Sequence, residues 1–205
     1  PTGVQANVMP NATPVGEVMR YRLKGDGKTS TELRTIQDWT VERALRQIPG
    51  VADVVGMGGY IKQYEVQPDM QKLRAYKLTL QDLQEAMGRG NANAGGSYVA
   101  QGTQQFAIRG IGLLHSAQDI GNIVVTARGN TPVLVKDVAT VAIGAVPRLG
   151  TVGQDMDDDV VTGIVIMRKG ENPSVLLKGV KDRIADLNDR VLPKGVQIVP
   201  FYDRT

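Results

Sequence analysis

The sequence predicts an α+β fold in which a two-layer, ferredoxin-like sandwich is interrupted by a second, inserted α+β module. The amino-terminal part reads as strand, helix and strand, and the carboxy-terminal part reads as two strands, a helix and a strand. The stretch between them, from about residue 60 to residue 147, has short helices and strands of its own. Because the sandwich must close around this insert, we expect the two ends of the insert to lie close together.

Local signals delimit the amino-terminal strand–helix–strand segment. Residues 15–23 alternate well enough for a strand, and Thr29-x-x-Glu32 is the capping-box pattern that begins a helix. Pro49-Gly50 ends this helix, and residues 51–57 form the next predicted strand. The apolar stripe of the helix consists of Leu33, Ile36, Val41, Ala44, Leu45 and Ile48.

The carboxy-terminal part repeats this arrangement with one extra strand. Residues 149–154 and 160–167 are predicted to form a hairpin across the acidic turn at residues 157–159. Asn172-Pro173 is a helix N-cap followed by proline at the first helical position. Residues 196–201 form the closing strand, after a helix with the apolar stripe Val180, Ile184, Leu187 and Val191.

The inserted module has shorter elements. The predicted strands are residues 61–66, 97–101, 104–109, 123–127, 133–135 and 138–143, and the predicted helices are residues 69–76, 79–87 and 117–121. Gly102-Thr103 joins two of these strands into a hairpin.

Composition excludes several classes of function. The chain of 205 residues has a net charge of +3 and an aromatic content of 4%, which is too little for a nucleic-acid surface with stacking platforms. It has no cysteine and one histidine, His115, and so holds no thiolate site and no histidine cluster for zinc or catalysis. No apolar run approaches the roughly 20 residues of a membrane-spanning helix. No arrangement of serine, histidine and carboxylates points to an enzyme.

The acidic run at residues 155–159 does not match a calcium-binding loop. The EF-hand pattern requires a glycine after the third acidic position and a glutamate later, where this sequence has Val160 and Ile166. We therefore interpret the run as a solvated hairpin turn.

A short internal sequence repeat suggests that the chain is a segment of a longer protein. Residues 1–5 (PTGVQ) are repeated as residues 193–197 (PKGVQ), which follow a helical pattern and lead into a strand. By analogy, a helix is expected before Pro1. The chain is therefore interpreted as an excised segment whose first strand has lost its preceding helix.

Several runs of the sequence resemble one family of membrane transporters. They are residues 10–18 (PNATPVGEV), 33–39 (LRTIQDW), 48–54 (IPGVADV), 58–64 (GGYIKQY), 91–96 (NANAGG), 135–139 (VKDVA) and 202–205 (YDRT). Together they resemble the first periplasmic segment of heavy-metal efflux pumps of the resistance–nodulation–division (RND) type, and they look closest to the cobalt–zinc–cadmium branch. The match covers nearly the whole chain in order.

The resemblance implies a division into subdomains. Residues 1–13 would be the tail of a first porter subdomain, residues 14–59 and 148–205 a discontinuous second porter subdomain, and residues 60–147 a docking (funnel) subdomain. It also implies a place on the periplasmic side of the bacterial inner membrane. The parent pump would be a homotrimer that works with a periplasmic adaptor and an outer-membrane channel. It would export heavy-metal cations against protons, through proton-relay residues that lie outside this chain.

Four residues are candidates for contact with a transported ion. Glu17 opens the first strand and Asp53 lies on the next one, so the two carboxylates would share a cleft if these strands paired in parallel. Met19 and Met57 would then line the same path. Carboxylate ligands suit divalent zinc, cobalt or cadmium, which would be cargo and not a permanent cofactor. The alternative is that Glu17 and Asp53 are ordinary solvated side chains and the methionines fill the core.

The short hairpin loop is a candidate for contacts between protomers. In the family a docking hairpin reaches into the next protomer, and the loop at Gly102, Thr103 and Gln104 is the matching feature here. Two other functions stay open: a multidrug-type RND exporter, and a free-standing periplasmic interaction module. Against the first, a drug pocket favours aromatic lining, and Phe106 and Phe201 are the only phenylalanines.

Overall fold

The computed structural model describes residues 16–102, 104–110, 112–129 and 131–204, which fold into two compact units. One unit contains the described residues up to 62 together with those from 145 onward, and the other contains residues 63–144. The predicted tail at residues 1–13, Val15 at the start of the predicted first strand, and Thr103 lie outside the described residues.

In chain order the elements are β1 (Glu17–Gly25), α1 (Ser30–Ile36), a first π-helical turn (Gln37–Val41), α2 (Glu42–Arg46), β2 (Val51–Met57), β3 (Lys62–Pro68), α3 (Met70–Ala75), α4 (Leu80–Gly90), β4 (Ala94–Gln101), β5 (Gln104–Gly110), α5 (Ala117–Gly121), β6 (Val124–Arg128), β7 (Thr131–Leu134), α6 (Val135–Val138), β8 (Ala139–Ala145), β9 (Val161–Met167), α7 (Pro173–Asp186), a second π-helical turn (Leu187–Val191) and β10 (Val196–Asp203).

A four-stranded sheet with the order β10-β1-β9-β2 forms one layer of the first unit. Every neighbouring pair of strands in it is antiparallel. The strands β1 and β2 do not pair with each other, because β9 lies between them. This order, with one helix connecting β1 to β2 and another connecting β9 to β10, is the ferredoxin-like sandwich, so the predicted α+β fold class is confirmed.

The helices of this unit begin where their caps predict. The hydroxyl of Thr29 accepts the amide N–H of Glu32, whose carboxylate in turn accepts the amide of Thr29 at 3.0 Å. Asn172 caps α7 in the same way, by accepting the amide N–H of Ser174 at 3.0 Å, and proline occupies the first helical position. Each helix of the unit then ends in or runs through a π-helical turn, which sequence periodicity did not reveal.

The core of the first unit lies between the sheet and the two helical segments. It is almost wholly apolar, with Gln37 as a buried polar exception whose amide hydrogen bonds to Tyr21. The principal core residues are Val18, Met19, Tyr21, Leu23, Val41, Leu45, Val54, Val161, Val165, Leu177, Val180, Ile184, Leu187 and Ile198.

The second unit has its own core and three two-stranded sheets, β3-β8, β4-β5 and β6-β7. Its helices α3 and α4 are capped by Asp69 and Thr79, whose side chains accept amide N–H groups of the first turn. The central core residues are Leu73, Leu83, Ala86, Val125, Val133, Val135 and Val138.

One predicted strand is absent, and a short helix that was not predicted lies between two others. Residues 149–154 form no strand: Leu149 is fully exposed, and the segment folds into a tight turn in which Gln154 and Asp157 pair through their backbones. One amide bond, from Val160 N–H to the carbonyl of Val152 at 2.9 Å, is what remains of the expected hairpin. The predicted strands at residues 133–135 and 138–143 are present as β7 and β8, and the short helix α6 lies between them, where the carboxylate of Asp137 accepts the amide of Leu134 at 2.8 Å.

None of the described helices is both long enough and apolar enough to span a bilayer.

Candidate metal site on the sheet of the first unit

Glu17 and Asp53 lie on one rung of the sheet, on either side of β9. Both register with Ile166, Glu17 from β1 and Asp53 from β2. Two interstrand spacings therefore separate their backbones, about 10 Å in all. The condition for a shared cleft, that β1 and β2 pair with each other, is not met, because β9 lies between them. The two carboxylates nevertheless belong to one row of the sheet.

The Glu17 carboxylate is held by Arg20. The guanidinium of Arg20 contacts both carboxylate oxygens, with 3.0 Å between its Nη2 and Oε2 of Glu17 and a second, shorter contact from Nε. Arg20 is about half exposed, and Glu17 about a quarter. The pair therefore neutralises the carboxylate at the surface and leaves it accessible.

The Asp53 carboxylate is held by Arg46, which projects from α2. Oδ1 of Asp53 also accepts the amide N–H of Val54 at 2.7 Å. The same nitrogen of Arg46 that contacts Asp53, Nη2, lies 3.1 Å from Oε1 of Glu42. Arg46 thus bridges a carboxylate of the helix and a carboxylate of the edge strand.

Glu42 has a perturbed protonation equilibrium. Burial raises the pKa of this carboxyl, Arg46 acts against the rise, and the negative charges of Asp38 and Asp53 add to it. Asp38 is itself paired with Arg34, at 2.8 Å between Oδ1 and Nε. This edge of the unit is therefore a row of alternating charges.

The two methionines are not together. Met57 registers with Thr162 near the other end of β2, four residues from Asp53, which is about 13 Å along the strand. Its side chain is 44% exposed, whereas Met19 is 0% exposed and lies in the core beneath the helices. The prediction placed both methionines on one path. The structure instead places Met19 on the covered face, because a bulge follows Glu17 in the pairing of β1 with β9.

No group of three or more histidine, cysteine, aspartate or glutamate side chains converges anywhere in the described part of the chain. A tetrahedral zinc site takes about four ligands. Glu17 and Asp53 together could supply two, and each would have to turn away from its arginine. Carboxylate oxygen is a ligand type that suits divalent cations, and the described residues bring these two carboxylates to this row.

Sequence reasoning missed the two arginines. Arg20 lies three residues after Glu17, and Arg46 lies four residues after Glu42, which is the spacing at which helical side chains meet. The spacing of Glu42 and Arg46 could therefore have been recognised in the sequence, but it predicts an ion pair within the helix. The contact of Arg46 with Asp53 depends on how α2 packs beside β2.

The hairpin of the second unit is present as predicted. Gln101 on β4 registers with Gln104 on β5, and Gly102 between them has φ of 65°, a left-handed conformation that glycine adopts without strain. Just before the loop, Val99 and Phe106 register with each other, and each is half exposed.

Comparison with known proteins identifies the family to which this fold belongs. The profile of the AcrB/AcrD/AcrF family matches residues 1–205, and the chain belongs to that family. Within it, the predicted resemblance to heavy-metal RND pumps is confirmed. The chain is 37% identical over 214 residues to the cobalt-zinc-cadmium resistance protein CzcA of Cupriavidus metallidurans, and 38% identical over 208 residues to the cation efflux system protein CusA of Escherichia coli.

A solved structure is similar over the whole chain. A crystal structure of a heavy metal efflux pump superposes with a TM-score of 0.87 at 40% identity and covers 100% of this chain. In each of these comparisons the chain spans about a fifth of the relative's length: 20% of CzcA, 20% of CusA and 20% of the crystallised pump.

Proposed function

We propose that this chain is a periplasmic fragment of a proton-driven heavy-metal cation efflux pump, where it forms part of the metal pathway and of the docking funnel. The main support is that the whole chain matches one fifth of proteins named for resistance to, or efflux of, metal cations. The relatives are transporters, in line with a chain in which no catalytic arrangement is evident from the sequence.

The two compact units support an assignment to subdomains. The unit that contains the four-stranded sheet corresponds to the second porter subdomain, residues 14–59 and 148–205, and the inserted unit to the docking subdomain, residues 60–147. The observed division, at residues 62 and 145, lies within three residues of this assignment. Residues 1–13 would be the tail of the first porter subdomain.

The partners and the location follow from the same proposal. The parent pump is a homotrimer in the inner membrane, and this segment lies on its periplasmic side with an adaptor and an outer-membrane channel as partners. The loop at Gly102, Thr103 and Gln104 is the proposed contact with a neighbouring protomer. The half-exposed pair of Val99 and Phe106 gives the hairpin an apolar surface for such a contact.

The proposed role of Glu17 and Asp53 is to form half of a transient cation site. An exported ion must bind and then leave, so a pathway favours a site with few ligands. The charge of these ligands must be neutralised by another side chain when no ion is bound. Both carboxylates meet this condition, because each is paired with an arginine and remains partly exposed. Zinc, cobalt and cadmium are the candidate ions, since carboxylate oxygen can ligate such divalent cations.

Growth of a metal-sensitive bacterium carrying the complete gene tests both levels of the proposal. We expect the gene to confer resistance to zinc, cobalt or cadmium, and Glu17→Gln with Asp53→Asn to lower it without loss of membrane-inserted protein. Asp158→Asn, in the acidic turn, is the matched control and should have no effect.

Other results would redirect the proposal. Resistance to organic drugs without resistance to metals would favour the multidrug alternative. Resistance to neither would favour an interaction module. Full metal resistance in the Glu17→Gln, Asp53→Asn double variant would remove these carboxylates from the pathway and leave the pump assignment in place.

A further inference from the structure

We propose that Arg46 is an exchangeable counter-ion: it holds Asp53 while no cargo is bound, gives Asp53 up to an incoming cation, and stays paired with Glu42. This inference rests on the proposed cation site at Glu17 and Asp53. It assigns to Arg46 and Glu42 the role of positioning residues that set how tightly the cation is held.

The geometry places one arginine between two carboxylates of different elements. Nη2 of Arg46 contacts Oδ1 of Asp53 on β2 and lies 3.1 Å from Oε1 of Glu42 on α2. Glu42 and Arg46 are four residues apart on one helix, so their contact is local and does not depend on Asp53. If Asp53 turns toward a cation, Arg46 keeps a partner within reach.

The energetics favour exchange at this position. Arg46 is 49% exposed and Asp53 24% exposed. An ion pair at such a surface is weak, because water screens it and two side chains must be ordered to form it. A divalent cation offers Asp53 twice the charge and direct coordination. Since Glu42 remains beside Arg46, the exchange leaves Arg46 with a carboxylate partner.

The other carboxylate lacks this arrangement. Arg20 contacts both oxygens of Glu17, and no second carboxylate contacts Arg20 within the described parts of the chain. Release of Glu17 therefore leaves Arg20 without its carboxylate partner, whereas release of Asp53 leaves Arg46 paired with Glu42. The exchange is thus easier on the Asp53 side of the rung, and Asp53 is the ligand that Arg46 can return to when the cation leaves.

Zinc titration of the full-length pump, purified in detergent and followed by calorimetry, tests the proposal. We expect Arg46→Gln to tighten zinc binding by about two- to fivefold, the amount that a half-exposed ion pair is worth. Glu42→Gln should weaken binding, because Arg46 then has Asp53 as its remaining carboxylate partner. Arg43→Gln is the control: this arginine is three residues away and stacks on Trp39 at 4.2 Å.

A double-variant cycle separates exchange from a general effect of charge. In the Asp53→Asn background, Arg46→Gln should no longer change zinc affinity, because Arg46 and zinc then have no Asp53 carboxylate for which to compete. Thermal melting of each variant establishes that the pump is folded. Equal tightening by Arg46→Gln with and without Asp53, or by Arg43→Gln, would overturn the proposal.

Loss of the cation site and loss of the counter-ion role would give different results. If Asp53→Asn leaves zinc affinity unchanged, the cation site itself is wrong and the role of Arg46 falls with it. If Asp53→Asn weakens binding but Arg46→Gln does not tighten it, the cation site stands and the counter-ion role alone is rejected.

Discussion

The hydroxyl of Tyr21 and the side-chain amide of Gln37 hydrogen bond to each other inside the core of the first unit. The hydroxyl lies 3.1 Å from Oε1 and 2.9 Å from Nε2 of the amide. Both residues are fully buried, Tyr21 on β1 and Gln37 at the start of the first π-helical turn. The pair fixes the helix over the sheet, because each buried polar group finds its partner on the other layer.

Removal of the Tyr21 hydroxyl should destabilise the chain. In Tyr21→Phe the buried amide of Gln37 loses its partner, and we expect the free energy of unfolding to fall by about 1–3 kcal/mol. Urea unfolding followed by circular dichroism measures this. Tyr202→Phe is the control, since Tyr202 is half exposed. An equal loss of unfolding free energy in Tyr21→Phe and Tyr202→Phe would show that the buried Tyr21–Gln37 hydrogen bonds are not its cause.

Alkaline pH should weaken the fold through the same residue. Burial raises the pKa of Tyr21 well above its ordinary value, and the hydrogen bond from Gln37 offsets this only in part. The folded state therefore holds the phenolic proton more tightly than the unfolded state, whose tyrosine ionises near pH 10. Stability from this group is complete below about pH 10 and is lost as the pH rises further.

The measurement is urea unfolding at several pH values between about 8 and 11. The fall in stability should be shallower in Tyr21→Phe than in the unaltered chain, because the phenylalanine cannot ionise. Identical pH profiles for the two proteins would contradict the assignment of the alkaline loss to Tyr21.

Gly163 should tolerate no side chain. It registers with Tyr21 on one side and Gly56 on the other, and a methyl group added to it would overlap the Tyr21 ring. We expect Gly163→Ala to cost about 1–3 kcal/mol of stability, as overpacked cores do. Gly150→Ala, which has open space around it, should change stability little. Thermal melting of both variants would reveal a tolerant core if their curves coincided.

Asn188 should protect the outer edge of the sheet. Its side chain accepts the amide N–H of Ile198 at 2.8 Å and donates to the carbonyl of Ile198 at 3.1 Å. Within the described part of the chain β10 is an edge strand, so this asparagine occupies backbone groups that no further described strand pairs with. In Asn188→Ala we expect faster hydrogen exchange of the Ile198 amide and a loss of about 1–3 kcal/mol. Unchanged exchange would show that water replaces the side chain without cost.

Elements with strong local signals were predicted well. The strand at Val51–Met57 has the predicted bounds, since Pro49-Gly50 before it and glycines after it mark its ends. The predicted strand at residues 149–154, one arm of a hairpin across the acidic residues, failed because Gln154 and Asp157 close a tight turn instead. For the candidate site, the sequence supplied Glu17 and Asp53. It did not supply Arg46, whose contact with Asp53 joins a helix to a strand.

By itself the sequence determined where the helices begin and which of their faces are apolar, because a cap and its partner lie within a few residues of each other. The tertiary structure determined which strands are neighbours and which side chains are buried. It placed β9 between β1 and β2, so that Glu17 and Asp53 share a rung without touching, and it buried Met19 while leaving Met57 exposed. Strand order and register come from pairings between distant residues, and those pairings are selected by the packing of the whole core.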